Sequence, residues 1–449
     1  MARNPDTTDA TLDRRTFLGG AGAAAVAGLA GCTTGGGGGG GAGPITFGQP
    51  ALLSGDLQFI QPPVSASADL AKRNINDAGG PLGREIEIVR KDTARTPSTG
   101  KSVFQQLVEQ NDAKVINGFT STVTKPLWQF FQEQQVPIVT MYAGTRFLDS
   151  RGGDNMTPDD LSDDGWYWRT TGADSQHTAA AAVHAQRQDV TTVGAIHAKT
   201  AGSTTWAKAF LDGARVLDGV EVVKRTGVQA GKSSYRSDLE SFFSDDIDVM
   251  GVAMGVPSAT TLMGDWADGQ YGGNVMLSNP LKNPKTVSNV GSIAENTDGW
   301  VRTSVPAIAG PYAETYLNEF DSFVSESDNY KSDLSTNNWS ASSYDAITVS
   351  ALAVHKAGEA SHDAIQKNIG RVARPPGTEV STFKQGKQAL DNGENINYVG
   401  AQTAVDFNKF GDVFNLAKIF DLTSDGFSQV DEVGPDRIQQ VIKKQRQMS

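Results

Sequence analysis

Short apolar strands alternate with amphipathic helices from residue 45 onward, and this alternation limits the possible folds more than any other feature of the chain. Residues 45–53 form an apolar run that ends in Ser-Gly, and residues 64–78 carry apolar side chains at helical spacing before a Gly-Gly-Pro turn. The pattern continues with predicted strands at 84–89, 113–117 and 136–141 and predicted helices at 98–111 and 126–135. It predicts a parallel sheet with helices on both faces.

The same alternation starts again at residue 190. It predicts strands at 190–197, 220–228, 248–254 and 274–278 and helices at 204–217, 235–243 and 259–266. Two successive α/β units of similar size predict two lobes. Farther on, residues 340–358 are predicted to form a long helix, and residues 401–422 two late strands around a turn at Gly411-Asp412.

The amino-terminal segment has the features of an export signal. Arg14 and Arg15 precede a short stretch rich in Ala and Gly, which ends at Cys32, the only cysteine among 449 residues. The paired arginines resemble a twin-arginine signal, and the residues before Cys32 resemble a lipobox, where the sulfur receives a lipid. We expect residues 1–31 to be a signal peptide and residues 32–43, with their run of glycines, to be a tether to the outer face of the cytoplasmic membrane.

The chain carries a formal net charge of −12, and the expected signal segment contributes none of it, because three arginines there balance three aspartates. An acidic chain of this kind argues against a nucleic-acid partner, since phosphate binding needs clustered Lys and Arg. The charge favours a halophilic protein, because a Debye length of about 3 Å in 1 M salt screens self-repulsion. An ordinary acidic protein remains the alternative.

Hydroxyl side chains follow the predicted strand that ends at Asn117. Ligands in open α/β sheets bind beyond the carboxyl ends of strands, so the loops after Asn117 and Met141 are candidate sites. Ser121 and Thr122 lie near the start of the helix predicted from Pro126, where free N–H groups and the helix dipole suit a carboxylate. Helix capping without any ligand is the alternative role for these hydroxyls.

Several segments, in order along the chain, carry a family resemblance. They are "LLSGDL" (52–57), "AKRNINDAGGPLGREIEIVRKDT" (71–93), "VING" (115–118), "STVTKP" (121–126), "VPIVTMYAGT" (136–145), "WYWRT" (166–170), "SYDAITVSALAVHKAG" (343–358) and "VDFNKFGD" (405–412). Together they resemble the leucine/isoleucine/valine-binding family of solute-binding proteins for ABC transporters, which has the type I periplasmic-binding fold. The resemblance implies a small-molecule ligand, no cofactor, and permease and ATPase subunits as partners.

The family architecture implies two lobes joined by three hinge crossings, each lobe a mostly parallel sheet flanked by helices. Placed on this sequence, the crossings fall near Thr170, near residues 299–303 and near Gln402. Lobe one would comprise residues 44–169 plus 301–401, and lobe two residues 170–300 plus 402–449. Closure of the lobes over a ligand would present the transporter with a closed shape.

The resemblance also implies site residues in lobe one. Ser121 matches the position that holds a ligand carboxylate, and Ala143 and Thr145 match the loop that holds the carboxylate and the ammonium group. Phe59 and Ile60 fall where the family places an apolar side-chain contact, although core packing is an equal alternative. A turn hydroxyl bonded to its own backbone is the alternative for Thr145.

Lobe two departs from the family pattern at three positions. Gly202, Val256 and Asn279 fall nearest the places where amino-acid-binding members carry a tyrosine, another aromatic residue and the carboxylate that pairs with ammonium. A buried ammonium without a partner costs several kcal/mol. Either Trp206, Asn279 or Asp265 compensates, or the ligand is an amide, urea or an aromatic acid rather than an amino acid.

Other chemistry finds little support in the sequence. The segment 95–102 ends like a phosphate-binding loop, but Arg95 stands where its first glycine is required. The acidic segment 160–165 has calcium-loop spacing, but Thr171 replaces the glutamate at the twelfth position. No nucleophile elbow or zinc-binding His motif occurs, so we expect no enzyme and no metal. A secreted enzyme or a ligand sensor on the same scaffold remains the alternative.

Overall fold

A computed structural model describes residues 43–55, 57–150 and 165–448 of the protein. The predicted signal residues Arg14 and Arg15, the lipidation residue Cys32 and the acidic segment at 160–165 lie outside these ranges, apart from Gly165. None of the described helices combines the length and the apolar character needed to cross a bilayer. Residues 42–449 form one compact unit.

The first part of the chain builds a parallel five-stranded sheet with strand order β2-β1-β3-β4-β5. The elements are β1 (Ile45–Ala51), α1 (Gln61–Asp77), β2 (Ile86–Asp92), α2 (Pro97–Gln105), β3 (Val115–Ile116), α3 (Ser121–Gln134), β4 (Ile138–Thr140) and β5 (Tyr167–Arg169). A short 3-10 helix, Gln58–Ile60, leads into α1. The predicted alternation of strands and helices is confirmed for this region.

The next part builds most of a second, seven-stranded sheet. Its elements are α4 (Asp174–Arg187), β6 (Thr192–Ala198), α5 (Ala201–Arg215), β7 (Glu221–Val228), α6 (Arg236–Phe242), β8 (Val249–Ala253), α7 (Val256–Asp268), β9 (Asn274–Leu277), α8 (Pro284–Glu295) and β10 (Val301–Pro306). Strands β7, β6, β8, β9 and β10 are parallel neighbours in that order.

The chain then returns to the first sheet before it finishes on the second. The returning elements, which pack beside the first sheet, are α9 (Ala313–Glu326), α10 (Asn338–Ala357), α11 (His362–Ile369), β11 (Thr378–Val380), α12 (Phe383–Asp391) and β12 (Ile396–Tyr398). Strands β11 and β12 pair with each other as a separate two-stranded sheet. The final elements are β13 (Ala417–Thr423), β14 (Gly426–Val433) and α13 (Pro435–Met448). Strands β13 and β14 extend the second sheet in antiparallel fashion beyond β10.

Each sheet has an apolar core on both faces, because neighbouring residues of a strand point to opposite sides. In the first sheet, Val115 and Val139 face α1, α9 and α10, whereas Ile116 and Ile138 face α2 and α3. The second sheet is covered by α4, α5 and α13 on one face and by α6, α7 and α8 on the other. We call the first sheet with its helices lobe one and the second sheet with its helices lobe two.

Two of the predicted crossings lie elsewhere in the structure. Strand β10 pairs with β9 and β13, so residues 301–306 belong to lobe two and the second crossing is the loop at 307–312. Val405, Phe407 and Val413 are buried in the lobe-one core, so the third crossing follows residue 413 rather than Gln402. The first crossing is the short segment between Arg169 and Asp174.

Two element predictions are wrong in detail. Residues 401–416 contain no strand, and the late pair of strands is β13 and β14, joined by a turn at 424–425. Helix α3 begins at Ser121, five residues before the predicted start at Pro126. Pro126 has no backbone N–H, so α3 lacks the hydrogen bond to the carbonyl of Thr122.

Candidate functional site

A cavity of about 400 Å³ lies between the two lobes. Residues of its wall follow the ends of β1 to β5 in lobe one, or lie at or beyond the ends of β6 to β9 in lobe two. In open α/β sheets this edge, beyond the carboxyl ends of the strands, is where ligands bind. The two sheets therefore present their binding edges to the same space.

The first turns of four helices also contribute to the wall of the cavity. Ser121 opens α3, Asp174 opens α4, Gly202 lies in the first turn of α5, and Pro257 lies in the first turn of α7. The N–H groups in a first turn have no partner within the helix, and the helix dipole places partial positive charge there. The cavity is therefore suited to an anionic group.

The start of α3 carries the hydroxyl groups singled out in the sequence. Thr120, Ser121 and Thr122 all line the cavity. The Ser121 Oγ accepts a hydrogen bond from the backbone N–H of Thr145 over 3.2 Å. The N–H groups of Val123 and Thr124 bond to the carbonyl of Thr120, which leaves the first N–H groups of the helix directed away from the helical ladder.

The loop after β4 lies beside the start of α3, but only part of it reaches the cavity. Tyr142 and Gly144 line the wall, whereas Ala143 and Thr145 are buried behind it. The carbonyls of Ala143 and Thr145 accept hydrogen bonds from Arg169 Nη1, over 3.3 and 3.0 Å. The Thr145 Oγ1 accepts from the N–H of Phe147 over 3.4 Å, as in the turn-hydroxyl alternative.

Gln61 of α1 fixes the lobe-one wall. Its Oε1 accepts hydrogen bonds from the backbone N–H of Leu52 and from the Tyr142 hydroxyl, each over 2.7 Å. Burial raises the pKa of Tyr142 well above its ordinary value, against the opposing effects of Arg90 and of the bond to Gln61. Tyr142 is therefore a neutral, hydrogen-bonded part of the wall.

Of the two residues predicted for the apolar contact, Phe59 and Ile60, one lines the cavity. Ile60, at the end of the 3-10 helix, is buried and lines the cavity. Phe59 is half-buried and packs against the lobe-one core, and it is not part of the wall.

Lobe two presents mainly small and hydroxyl side chains. Gly202, Trp206 and Asn279 line the cavity, and Val256 lies behind its neighbours Gly255 and Pro257. Trp206 is 3% exposed and stacks on Phe210. The indole Nε1 of Trp206 has no hydrogen-bond partner among the described residues.

Asp265 does not supply a carboxylate to this cavity, so the alternative that names it is wrong. It accepts hydrogen bonds from the Ser234 hydroxyl over 2.9 Å, the Tyr235 N–H over 2.6 Å and Arg236 Nε over 3.2 Å. These bonds, with the Arg236 charge, hold its pKa below the ordinary value although burial acts to raise it.

A buried ion-pair cluster, absent from the sequence prediction, supports the hinge side of the cavity. The Arg169 side chain is 1% exposed and forms ion pairs with Asp149 of lobe one and with Asp412. Asp412 precedes the third crossing, and its Oδ1 lies 2.7 Å from Arg169 Nε. Burial lowers the pKa of Arg169, but the two carboxylates raise it by more, so the guanidinium stays charged. The Ser175 hydroxyl of α4 donates to Asp149 over 2.7 Å and joins lobe two to this cluster.

Asp174 is the second residue absent from the sequence prediction. It begins α4 and lines the cavity, and its side chain is 13% exposed. The sequence shows a single arginine in the segment 166–170 and an aspartate near the predicted crossing, but it does not indicate what either side chain contacts. In the described part of the chain, no group of three or more His, Cys, Asp or Glu side chains is placed to hold a metal ion.

Comparison with known proteins gives a consistent result. Residues 44–385 match the sequence profile of a family described as "Periplasmic binding protein". The Leu/Ile/Val-binding protein of Escherichia coli strain K12 is 24% identical over 200 residues, which is 44% of this chain and 50% of that protein. The chain thus spans about half the length of the curated relatives that it matches.

Solved structures share the fold. A leucine-binding protein from Thermotoga maritima has a TM-score of 0.69 at 16% identity, covering 87% of this chain and 99% of that one. An ABC-transporter solute-binding protein from R. palustris, solved in complex with benzoate, has a TM-score of 0.65 at 14% identity, covering 88% and 97%. The proteins compared here are named as binding proteins, not enzymes.

Proposed function

Because this chain belongs to the periplasmic binding protein family, we propose that it is the extracytoplasmic solute-binding component of an ABC importer. The observation that carries the proposal is the cavity between the lobes, whose wall is built by the binding edges of both sheets. A ligand that contacts both edges stabilises the closed arrangement of the lobes, and the closed protein then delivers it to permease and ATPase subunits.

The start of α3 is the proposed site for a ligand carboxylate. Ser121 and Thr122 bring hydroxyl groups to a helix N-terminus, and the N–H of Thr145 holds the Ser121 side chain in place. Hydrogen bonds from hydroxyl and backbone N–H groups to a carboxylate are stronger than those between neutral groups. Ala143 and Thr145 support this site from behind Gly144 rather than by direct contact.

A branched-chain amino acid or a related compound is the proposed ligand. The Escherichia coli relative and the Thermotoga neighbour are named for branched-chain amino acids, and Leu52, Leu57 and Ile60 supply apolar surface for such a side chain. An aromatic acid is the second candidate. The benzoate complex of the R. palustris neighbour and the amide of Asn279 in the lobe-two wall favour it.

The location of the protein is also a proposal. The paired Arg14 and Arg15 and the single Cys32 support export and lipid attachment to the outer face of the cytoplasmic membrane. The net charge of −12 supports function at high salt.

A thermal-shift experiment in high salt tests the proposed function. The full chain is screened against amino acids, amides and organic acids. Binding to the folded state raises the melting temperature by mass action, so at least one carboxylate-bearing compound should give a concentration-dependent shift. Absence of a shift with every compound would contradict the solute-binding proposal.

A further inference from the structure

An ion pair outside the cavity joins the two lobes. Arg146 begins a short 3-10 helix, Arg146–Ser150, after β4 of lobe one, and its Nη1 pairs with the carboxylate of Asp212 in α5 of lobe two. Each side chain is 19% exposed, and neither residue lines the cavity. Partial removal from water strengthens the attraction between opposite charges, so this pair contributes more to the contact between the lobes than a fully exposed pair would.

The lobe-one end of the pair belongs to the loop beside the proposed carboxylate site. Arg146 directly follows Thr145, whose N–H donates a hydrogen bond to Ser121 Oγ over 3.2 Å. Gly144, one residue earlier, lines the cavity. The position of Arg146 therefore affects where this loop, and with it the Ser121 hydroxyl, lies relative to a ligand.

The lobe-two end of the pair belongs to a helix that also reaches the cavity. Gly202, Ser203 and Trp206, near the start of α5, line the cavity, and Asp212 lies farther along the same helix. Helices α3 and α5 contact each other across the boundary between the lobes. Because a helix moves largely as a rigid element, fixing α5 at Asp212 also fixes its first turns relative to the cavity.

The two partners differ in the charges available within their own lobe. Asp212 also pairs with Arg215, one turn along α5, over 2.5 Å. For Arg146, no second carboxylate partner occurs among the residues that the structure describes. Separation of the lobes would therefore leave Asp212 with a cation but return Arg146 to water. The ion pair of Arg146 forms only when the lobes are together.

We propose that the Arg146–Asp212 pair sets ligand affinity from outside the cavity by stabilising the closed arrangement of the lobes. Both are positioning residues, because they act on the ligand through the loop after β4 and through α5. The inference rests on the proposed function. Apparent affinity scales with the fraction of the protein that is in the binding-competent arrangement. Loss of the pair therefore lowers affinity without removing any contact to the ligand.

Binding kinetics test this role. The pair forms as the lobes close over a bound ligand, so its loss should speed ligand release far more than it slows association. Trp206 and Trp339 line the cavity and report binding of L-leucine, L-valine and benzoate to the full chain in stopped-flow fluorescence. Asp212→Asn and Arg146→Gln, one in each lobe, should each bind about fivefold or more weakly, mainly through faster dissociation.

Three further variants separate the ion pair from other effects of these substitutions. Arg146→Lys keeps the charge and should recover most of the wild-type affinity. Arg215→Gln removes only the partner of Asp212 within lobe two and should leave both rates unchanged. Asp421→Asn is the matched control, because it breaks an ion pair inside lobe two, with Arg302, whose side chains are 16% and 30% exposed. It should bind like the wild type. Circular dichroism and melting curves check that each variant is folded.

Three results would overturn the inference. They are wild-type affinity in folded Asp212→Asn or Arg146→Gln, a loss of affinity that lies mainly in the association rate, and an Arg146→Lys protein that binds no better than Arg146→Gln. In each of these cases the wild type still binds a ligand, so the proposed function stands. If none of the three compounds binds the wild type, the proposed ligand class and the inference fail together.

Discussion

Replacement of Ser121 by alanine is expected to weaken ligand binding and also, by a comparable free energy, the fold. The substitution removes the hydroxyl proposed to donate to the ligand carboxylate, and it also removes the acceptor of the Thr145 N–H, 3.2 Å away. A hydrogen bond to a charged group contributes about 1.5–3 kcal/mol, which corresponds to a loss in affinity of roughly 10-fold to 150-fold. The unpaired N–H of Thr145 costs the fold about 1–3 kcal/mol.

Calorimetric titration with the compound found by thermal shift measures the first effect, and urea denaturation measures the second. Ser237→Ala is a matched control, because Ser237 is an exposed serine in the first turn of α6 and lies away from the cavity. It should change neither quantity by more than about 0.5 kcal/mol. A Ser121→Ala protein that binds within threefold of the wild type would show that the carboxylate does not lie at the start of α3.

Two further predictions concern the hinge and the membrane. Arg169→Gln leaves two buried carboxylates without their cation and should lower the free energy of unfolding, measured in urea, by about 3–5 kcal/mol. Arg187→Gln is the control, because the Arg187 side chain is 44% exposed in its ion pair with Asp431, and it should lower the free energy of unfolding by less than about 1 kcal/mol. Equal losses would contradict the role given to Arg169. Cys32→Ala should move the exported protein from the membrane fraction to the soluble fraction, and retention in the membrane would argue against lipid attachment at Cys32.

The alternation of strands and helices was predictable because each strand is short and apolar and most helices have one apolar face. Helix α4 has no such face. Residues 175–185 are all buried, and several are alanines, so no helical periodicity distinguishes this segment from a loop. The prediction placed the late strands too early in the chain. Val405, Phe407 and Val413 lie in an irregular segment but are buried in the lobe-one core, so the segment has the apolar pattern that is typical of a strand.

The candidate site was predictable where a residue follows a strand directly in the sequence. Ser121, Thr122 and Asn279 were singled out in this way and line the cavity, whereas of the predicted apolar pair, Phe59 and Ile60, only Ile60 lines it. Asp174 could not be recognised, because its proximity to Gly144 depends on how α4 packs against the loop after β4. One sequence gives the strand ends but not the packing that brings them together.

Filling the cavity with a side chain is the most direct test that the ligand binds between the lobes. Gly202 lines the cavity in α5, and a Cβ built there has no neighbour within 4 Å, so the side chain of Gly202→Trp can start into the cavity without a backbone clash. Gly264 of α7 is equally open but lies outside the wall, which makes Gly264→Trp the control. Titration should show binding abolished in Gly202→Trp and retained in Gly264→Trp, whereas wild-type affinity in a folded Gly202→Trp protein would contradict a binding site between the lobes.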